Sequence, residues 1–277
     1  MNDVTQNTPM SEQAVDAGVP ATAAAPIVFE QPLNERMRTF LRLDFLYNQA
    51  LYHNQSQSQW GSRAAVSSLL DILAITSRGD TRADVLKELE RQLALLNEFQ
   101  SRPGVDASRL RTVISNLLRL RADLLGTGSA YLHPLKESEF LNAIRHRSAI
   151  PGGTCEFDLP DFCYWLNQPA DLRIDTFTRW ITMLRPLCDA IAELLWLTRQ
   201  NGRGRRELAR GGVYHITFDR ETPVQLLRIA IPSDLGIYPE ISGSHYRSSV
   251  RFVTWHGPTE RPRQAEGDIE FELTCCT

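Results

Sequence analysis

Lysine is nearly missing from this 277-residue sequence. Only Lys87 and Lys136 are lysine, so 28 of the 30 basic residues (30 minus 2) are arginine. Codon usage in a GC-rich genome is the simplest origin of this bias, but its physical consequence is the same whatever the origin. Arginine presents a planar fork that binds a carboxylate through two hydrogen bonds, whereas lysine acts as a point charge.

Long apolar runs are missing as well. The most hydrophobic stretch, residues 187–197, is interrupted by Asp189 and Glu193, whereas a transmembrane helix needs about 18 apolar residues in a row. The composition is 42% hydrophobic, 23% charged and 8% aromatic, which is typical of soluble globular proteins. We therefore expect no membrane span.

The standard catalytic and cofactor motifs are also absent. The sequence contains no G-x-x-x-x-G-K-[ST], G-x-G-x-x-G, H-E-x-x-H or G-x-S-x-G. Its six histidines lack metal-ligand spacing, and its five cysteines include no C-x-x-C pair. One local Ser/His pair, Ser244 and His245, is weak support for a nucleophile and its base. We expect no enzyme, no cofactor and no metal, and free thiols in a reducing, cytoplasmic compartment.

The net charge of −3, from 30 basic and 33 acidic residues, argues against a strongly basic nucleic-acid-binding protein. The segment Arg199–Arg220 is a local exception, since it has six arginines against only Glu207 and Asp219. Its four glycines predict a mobile basic loop that could bind nucleic acid or an acidic protein tail. A nucleic-acid-binding module that uses this loop is therefore the alternative function.

Composition and periodicity divide the chain into four parts. Residues 1–26 are rich in Ala, Thr, Gln and Pro and predict a disordered tail, and residues 27–33 predict a strand. Residues 34–200 show the period of helices, and residues 201–277 show the two-residue period of strands. We expect an α+β fold, with an N-terminal helical bundle domain followed by an antiparallel β-sheet domain that the N-terminal strand joins.

Local signals set individual elements. Asn34 is the expected N-cap of a helix over residues 35–53, and the leucine spacing across residues 86–124 predicts a helical hairpin. The helix expected over residues 171–200 contains Pro186, which should kink or divide it. Four strands are expected as an antiparallel meander, at residues 213–218, 224–231, 248–255 and 268–275.

Two arginines share one face of the segment YRSSVRFVTW, which contains the third of these strands. Arg247 and Arg251 are four residues apart, which is about 13 Å at the rise of a strand. They form a basic platform for an acidic partner in one interpretation. In the other, they pair across the sheet with Asp268, Glu270 and Glu272 of the last strand.

Two further arginine pairs lie on predicted helices. Arg38 and Arg42 are four residues apart on one side of the first helix, about 6 Å along its axis. Arg145 and Arg147 lie at the C-terminal end of another helix, where the helix dipole favours cations.

Several motifs then match a known family. The segments FEQPLNERMRTFLRLDFL, IRHRSAIPGGTCEFDLPDF, YPEISGSHYRSSVRF and FELTCC resemble the ZapD family of Z-ring associated proteins, in order from about residue 27 to the C-terminus. Residues 1–26 lie outside the resemblance. It implies a dimeric cell-division protein, in the bacterial cytoplasm at midcell, that binds the C-terminal tail of FtsZ and bundles FtsZ filaments.

The resemblance also implies which residues bind the tail. The positions that match the family's basic surface are Arg38, Arg42, Arg78, Arg145, Arg147, Arg247 and Arg251. This sequence departs from the family around Glu139 and Cys163, where basic or imidazole side chains are replaced.

Overall fold

The computed structural model of this chain describes residues 25–100, 104–219, 223–243 and 246–277. Almost all of the predicted tail, residues 1–26, therefore lies outside the described residues. The helices α1 to α9 span Glu35–Asn54, Gln59–Thr76, Thr81–Phe99, Ala107–Gly126, His133–Lys136, Glu139–Ser148, Pro160–Leu166, Ala170–Thr182 and Arg185–Gln200.

Helix α1 begins at the cap that the sequence predicts. Asn34 has extended backbone, and its side-chain oxygen accepts a hydrogen bond of 2.8 Å from the N–H of Met37. The cap satisfies one of the amide groups that a first helical turn leaves unpaired. Met37, Phe40 and Leu43 are buried, so α1 turns an apolar side towards the core.

The helix expected over residues 171–200 is divided in two. α8 ends at Thr182, and α9 begins at Arg185 with Pro186 in its first turn. Proline has no N–H to donate and its ring clashes with a preceding turn, so it fits only at the start of a helix. The division that Pro186 predicts is confirmed.

The predicted helical hairpin is present as α3 and α4. Leu89 and Leu117 are fully buried in it, and both helices pack against α9. One cluster of buried side chains runs through the helices and includes Leu187 and Ile191 of α9. The core of the helical region therefore follows the leucine spacing of the sequence.

The strands β1 to β8 span Pro26–Pro32, Gly204–Ala209, Val213–Thr217, Leu226–Pro232, Ile237–Gly243, Arg247–Thr254, Arg263–Gln264 and Ile269–Cys276. They form two antiparallel sheets, one with the order β1-β4-β8-β2 and one with the order β3-β6-β5, where β7 also pairs with β6. The four predicted strands are present as β3, β4, β6 and β8, but the predicted meander is wrong. Alternation of side chains marks a strand without specifying its neighbours.

The two sheets share a core. The rings of Phe252 in β6 and Phe271 in β8 lie 5.0 Å apart between centroids, and both belong to a cluster with residues of both sheets. β1 pairs with β4 along its full length, so the strand before α1 joins the sheet region as predicted. The α+β class is confirmed, while the domain boundaries stay a prediction.

Candidate functional site

A cleft between α1 and α2 brings together two of the predicted arginines. It has a volume of about 280 Å³, and we call it the arginine cleft. Arg42 and Phe45 line it from α1, and Arg78 lines it from just beyond the end of α2. The two helices run antiparallel, which places the end of α2 beside the first half of α1. Its other lining residues include Leu46, Asp71 and Ile75.

The arginine cleft is positively charged and partly apolar. Among the described residues, no carboxylate oxygen lies within 4.0 Å of the Arg42 or Arg78 guanidinium. Burial raises the pKa of Asp71 in the same cleft, whereas a close arginine would lower it. Phe45 is 64% exposed. Within the described part of the chain, the cleft therefore offers two guanidinium groups without an ion-pair partner, together with an accessible ring.

Arg38 lies one turn before Arg42 on α1 and extends the basic face. Its Nε lies 3.2 Å from a carboxylate oxygen of Glu35, and its side chain is 38% exposed. The contact lacks hydrogen-bond geometry, since the buried Nε–H finds no acceptor among the described residues. An ion pair of this kind, with Glu35 largely exposed, is weak and easily exchanged for another carboxylate.

The start of α1 lies beside the start of β6. A Cβ atom on Gly243 would lie 3.2 Å from Leu33 and would clash with the hydroxyl of Ser248, so the paired ends of β5 and β6 pack against the residue that precedes the α1 cap. Arg247 is the neighbour of Ser248. Ser248 is buried whereas Arg247 is exposed, and successive side chains of a strand point to opposite faces, so this contact does not itself place the arginine face of β6 against α1.

In one interpretation, the arginines of β6 pair with acidic residues of the last strand. The structure gives them a different neighbour. Arg247 and Arg251 are exposed, while Val250 and Phe252 between and beside them are buried. β8, with its acidic residues, lies in the other sheet, so pairing with Asp268, Glu270 and Glu272 is wrong. Arg251 instead forms an ion pair with Glu240 of β5.

Arg145 and Arg147 lie at the opposite end of α2. Arg147 forms an ion pair of 3.3 Å with Asp158, and a backbone carbonyl of the same loop accepts a hydrogen bond of 2.9 Å from Arg63 near the start of α2. The rise of α2 places about 22 Å between Arg63 and Arg78. The described structure does not bring this pair into the arginine cleft.

The basic segment Arg199–Arg220 is not a mobile loop over most of its length. It contains β2 and β3, and Arg220 itself lies outside the described residues. Arg199 forms an ion pair of 2.8 Å with Glu30, and Arg205 forms one of 2.6 Å with Glu207. The strand β3 was expected at residues 213–218, but β2 was missed, because its arginines and glycine lack the alternation of a typical strand.

Glu30 in β1 links distant parts of the chain. Its carboxylate accepts hydrogen bonds of 2.9 and 2.8 Å from Arg199 and one of 2.9 Å from Arg228. Burial alone would raise the pKa of Glu30, but the hydrogen bonds and charges of the two arginines outweigh it and hold the pKa below its ordinary value. This cluster stabilises the fold and uses Arg199 for that purpose.

Groups suited to chemistry are few. In the described ranges, no cluster of three or more His, Cys, Asp or Glu could hold a metal ion. Burial raises the pKa of the Cys188 thiol and raises that of Cys276 to about 11, so both stay protonated at neutral pH. Ser244 and His245 lie outside the described residues. None of the helices described here combines the length and apolar composition that crossing a membrane requires.

Phe45 and Glu240 are parts of the site that sequence reasoning missed. Phe45 follows Arg38 by seven residues and Arg42 by three, so helical spacing alone places it on the arginine face. Glu240 could not be identified from local spacing, because the strand that carries it contains Pro239 and Gly243 and lacks the alternation of a typical strand.

Comparison with known sequences identifies relatives along almost the whole chain. The sequence model of ZapD, described as a cell division protein, matches residues 41–251. The cell division protein ZapD of Methylococcus capsulatus is 39% identical over 250 residues, 90% of this chain and 98% of the relative. Proteins of the same name from Janthinobacterium and Azoarcus are 37% and 36% identical over 251 residues, 91% of this chain and 99% of each relative.

Proposed function

This chain belongs to the ZapD family of cell division proteins, and we propose that it binds the C-terminal tail of FtsZ and cross-links FtsZ filaments. Binding and bundling are non-covalent in this proposal. The protein acts in the cytoplasm at midcell, where filament bundles stabilise the Z-ring. No cofactor and no chemical step are involved.

The arginine cleft is the observation that carries the proposal. Arg42 and Arg78 line the same cleft as the exposed ring of Phe45, and neither guanidinium has a carboxylate within 4.0 Å among the described residues. Guanidinium groups bind carboxylates through two parallel hydrogen bonds. An acidic segment with an apolar side chain satisfies both parts of the cleft.

The basic face continues from the cleft to Arg38 on α1. Arg38 lies one turn before Arg42, and the start of β6 packs beside the residue before the α1 cap. In this proposal the same tail, after passing Arg38, also contacts Arg247 and Arg251. A disordered segment loses conformational entropy when it binds, so each single site is expected to be weak.

We infer that a homodimer compensates for this weakness. A dimer carries two copies of the site, and an FtsZ filament carries many tails, so the second binding event becomes intramolecular with an effective concentration in the millimolar range. Two sites that point to different filaments cross-link them. Sedimentation velocity at micromolar concentration tests the dimer directly, and a monomer at every concentration would remove the basis for bundling.

Co-sedimentation with FtsZ and GTP tests the function. The full chain is mixed with full-length FtsZ and, in parallel, with FtsZ that lacks its C-terminal tail. We expect the chain in the pellet only with full-length FtsZ. Equal pelleting with both proteins would move the binding site to the body of the filament, and no pelleting with either would contradict the proposal.

The nucleic-acid alternative has less support. Its loop, Arg199–Arg220, consists largely of paired strands, and Arg199 and Arg205 are engaged by Glu30 and Glu207. Retention of the protein on a DNA or RNA column at physiological salt, together with failure to pellet with FtsZ, would favour it.

A further inference from the structure

A second cleft lies on the other side of Arg78. It has a volume of about 330 Å³, and we call it the lysine cleft. The lining residues used below are Ser77, Gly79, Asp80, Arg82, Tyr131 and Lys136. Arg78 lines the arginine cleft, while its chain neighbours Ser77 and Gly79 line the lysine cleft. The two clefts therefore meet at the C-terminal end of α2.

Lys136 brings an unneutralised charge to the lysine cleft. Its side chain is half-buried, and its ammonium donates a long hydrogen bond of 3.5 Å to the backbone carbonyl of Thr76. Among the described residues, no carboxylate oxygen lies within 4.0 Å of this ammonium. A charge that has lost part of its hydration without gaining a counter-charge favours the binding of an anion.

The other charged groups of the lysine cleft already have partners. The side chain of Asp80 caps α3, where it accepts a hydrogen bond of 3.0 Å from the N–H of Ala83. Arg82 donates to the carbonyl oxygens of Leu124 and Leu125 at the end of α4. The ends of helices therefore hold both side chains in place. Lys136 is the remaining charged residue of this cleft that can bind a ligand.

Tyr131 also lines this cleft. Burial raises the pKa of its hydroxyl, and the charge of Arg82 lowers it only in part. The hydroxyl therefore stays protonated at neutral pH and adds no negative charge. The lysine cleft thus combines the ammonium of Lys136 with an uncharged tyrosine, and the ammonium suits a carboxylate.

We propose that the lysine cleft binds a carboxylate of the same acidic segment that occupies the arginine cleft, with Lys136 as its positive partner. This inference rests on the proposed function, in which the segment is the FtsZ tail. Lys136 contacts Thr76, and Arg78 is two residues further along the chain. An extended peptide rises about 3.3 Å per residue, so a few residues span both clefts.

The scarcity of lysine makes a direct test possible on the unmodified protein. Lys87 and Lys136 are the only lysines, so an amine-acylating reagent reports on each of them separately by mass spectrometry. Lys87 is exposed on α3 and lines neither cleft, which makes it an internal control. With a saturating FtsZ tail peptide we expect acylation of Lys136 to slow severalfold, while that of Lys87 is unchanged.

Matched variants give a second readout. Lys136→Gln and Lys87→Gln make the same charge change, and binding of a fluorescent FtsZ tail peptide is followed by anisotropy. We expect Lys136→Gln to raise Kd by about three- to tenfold and Lys87→Gln to leave it unchanged. If the Lys136→Gln variant misfolds, the acylation measurement on the wild-type protein still tests the inference.

The outcomes separate this inference from the proposed function. One outcome would overturn the inference about the lysine cleft alone. In it, Arg78→Glu weakens peptide binding, but the peptide does not protect Lys136 from acylation and Lys136→Gln binds it normally. Absence of peptide binding by the wild-type protein would overturn the proposed function, and the lysine cleft with it.

Discussion

Glu240 of β5 and Arg251 of β6 lie directly opposite each other in the second sheet, and their side chains form an ion pair. Both side chains are about half exposed, at 46% and 52%. Arg42 and Arg78 have no such neighbour among the described residues. If the proposed function holds, an acidic ligand binds the arginine cleft directly, but reaches Arg251 only in competition with Glu240.

Removing the competitor should strengthen binding. We expect Glu240→Gln to lower the Kd for the FtsZ tail peptide by about two- to threefold, because exposed ion pairs contribute only about 0–1 kcal/mol. Peptide titration by anisotropy measures this. Unchanged affinity would show that the tail does not contact Arg251.

Reversing the charge on β6 should abolish bundling. Arg247 and Arg251 are exposed, so Arg247→Glu and Arg251→Glu should leave the fold intact, as circular dichroism can verify. We expect both variants to lose FtsZ bundling in light-scattering assays, since each replaces an attraction to the acidic tail with a repulsion. If both folded variants bundle normally, the β6 face is not part of the binding surface.

Charge reversal in the arginine cleft should act on affinity for the tail. We expect Arg42→Glu and Arg78→Glu each to weaken peptide binding about tenfold or more, because like charges across an interface repel strongly. Arg111→Glu is the matched control, since Arg111 is exposed and its guanidinium donates to a carbonyl of its own helix, α4. Equal losses in all three variants would indicate a general effect of net charge.

Salt should weaken binding steeply. The Debye length falls from about 10 Å at 0.1 M to about 3 Å at 1 M ionic strength, so exposed arginines lose their attraction for the tail. We expect bundling to decline progressively over this range, and a shallower salt dependence of peptide binding in Arg42→Gln. Binding that does not depend on salt would show that apolar contacts, such as that of Phe45, hold the tail instead of the arginines.

The pKa of Glu30 predicts a pH effect on stability. Its folded-state pKa lies below the ordinary 4.5, so the ion pairs with Arg199 and Arg228 stabilise the fold at pH values above about 4.5. That contribution declines as pH falls through the folded-state pKa. We expect Glu30→Gln to lower the free energy of unfolding by about 1–3 kcal/mol at pH 7.

Urea unfolding at pH 7 and at pH 3.5 checks this prediction. The difference between wild type and Glu30→Gln should shrink at the lower pH, because pH 3.5 lies below the ordinary pKa of 4.5 and protonation of Glu30 then favours the unfolded chain. A difference that stays constant would show that the substitution acts through packing.

Much of the fold could be predicted because its signals are local. The Asn34 cap, the division at Pro186 and the leucine spacing of α3 and α4 each depend on residues within a few turns of one another. The strand partners could not be predicted in this way. β4 and β8 pair in one sheet and β3 and β6 in the other, and this choice depends on which apolar faces meet in the shared core around Phe252 and Phe271.

The candidate site likewise has one part set by local sequence signals and one part set by packing. The sequence by itself determined the excess of arginine, the helix that carries Arg38 and Arg42, and the strand face that carries Arg247 and Arg251, because each follows from composition or from a short period. Only the tertiary structure decided that Arg42 meets Arg78 across a cleft and that Arg251 meets Glu240. Such neighbours depend on how helices and strands pack, and packing is set by side chains that lie far apart along the chain.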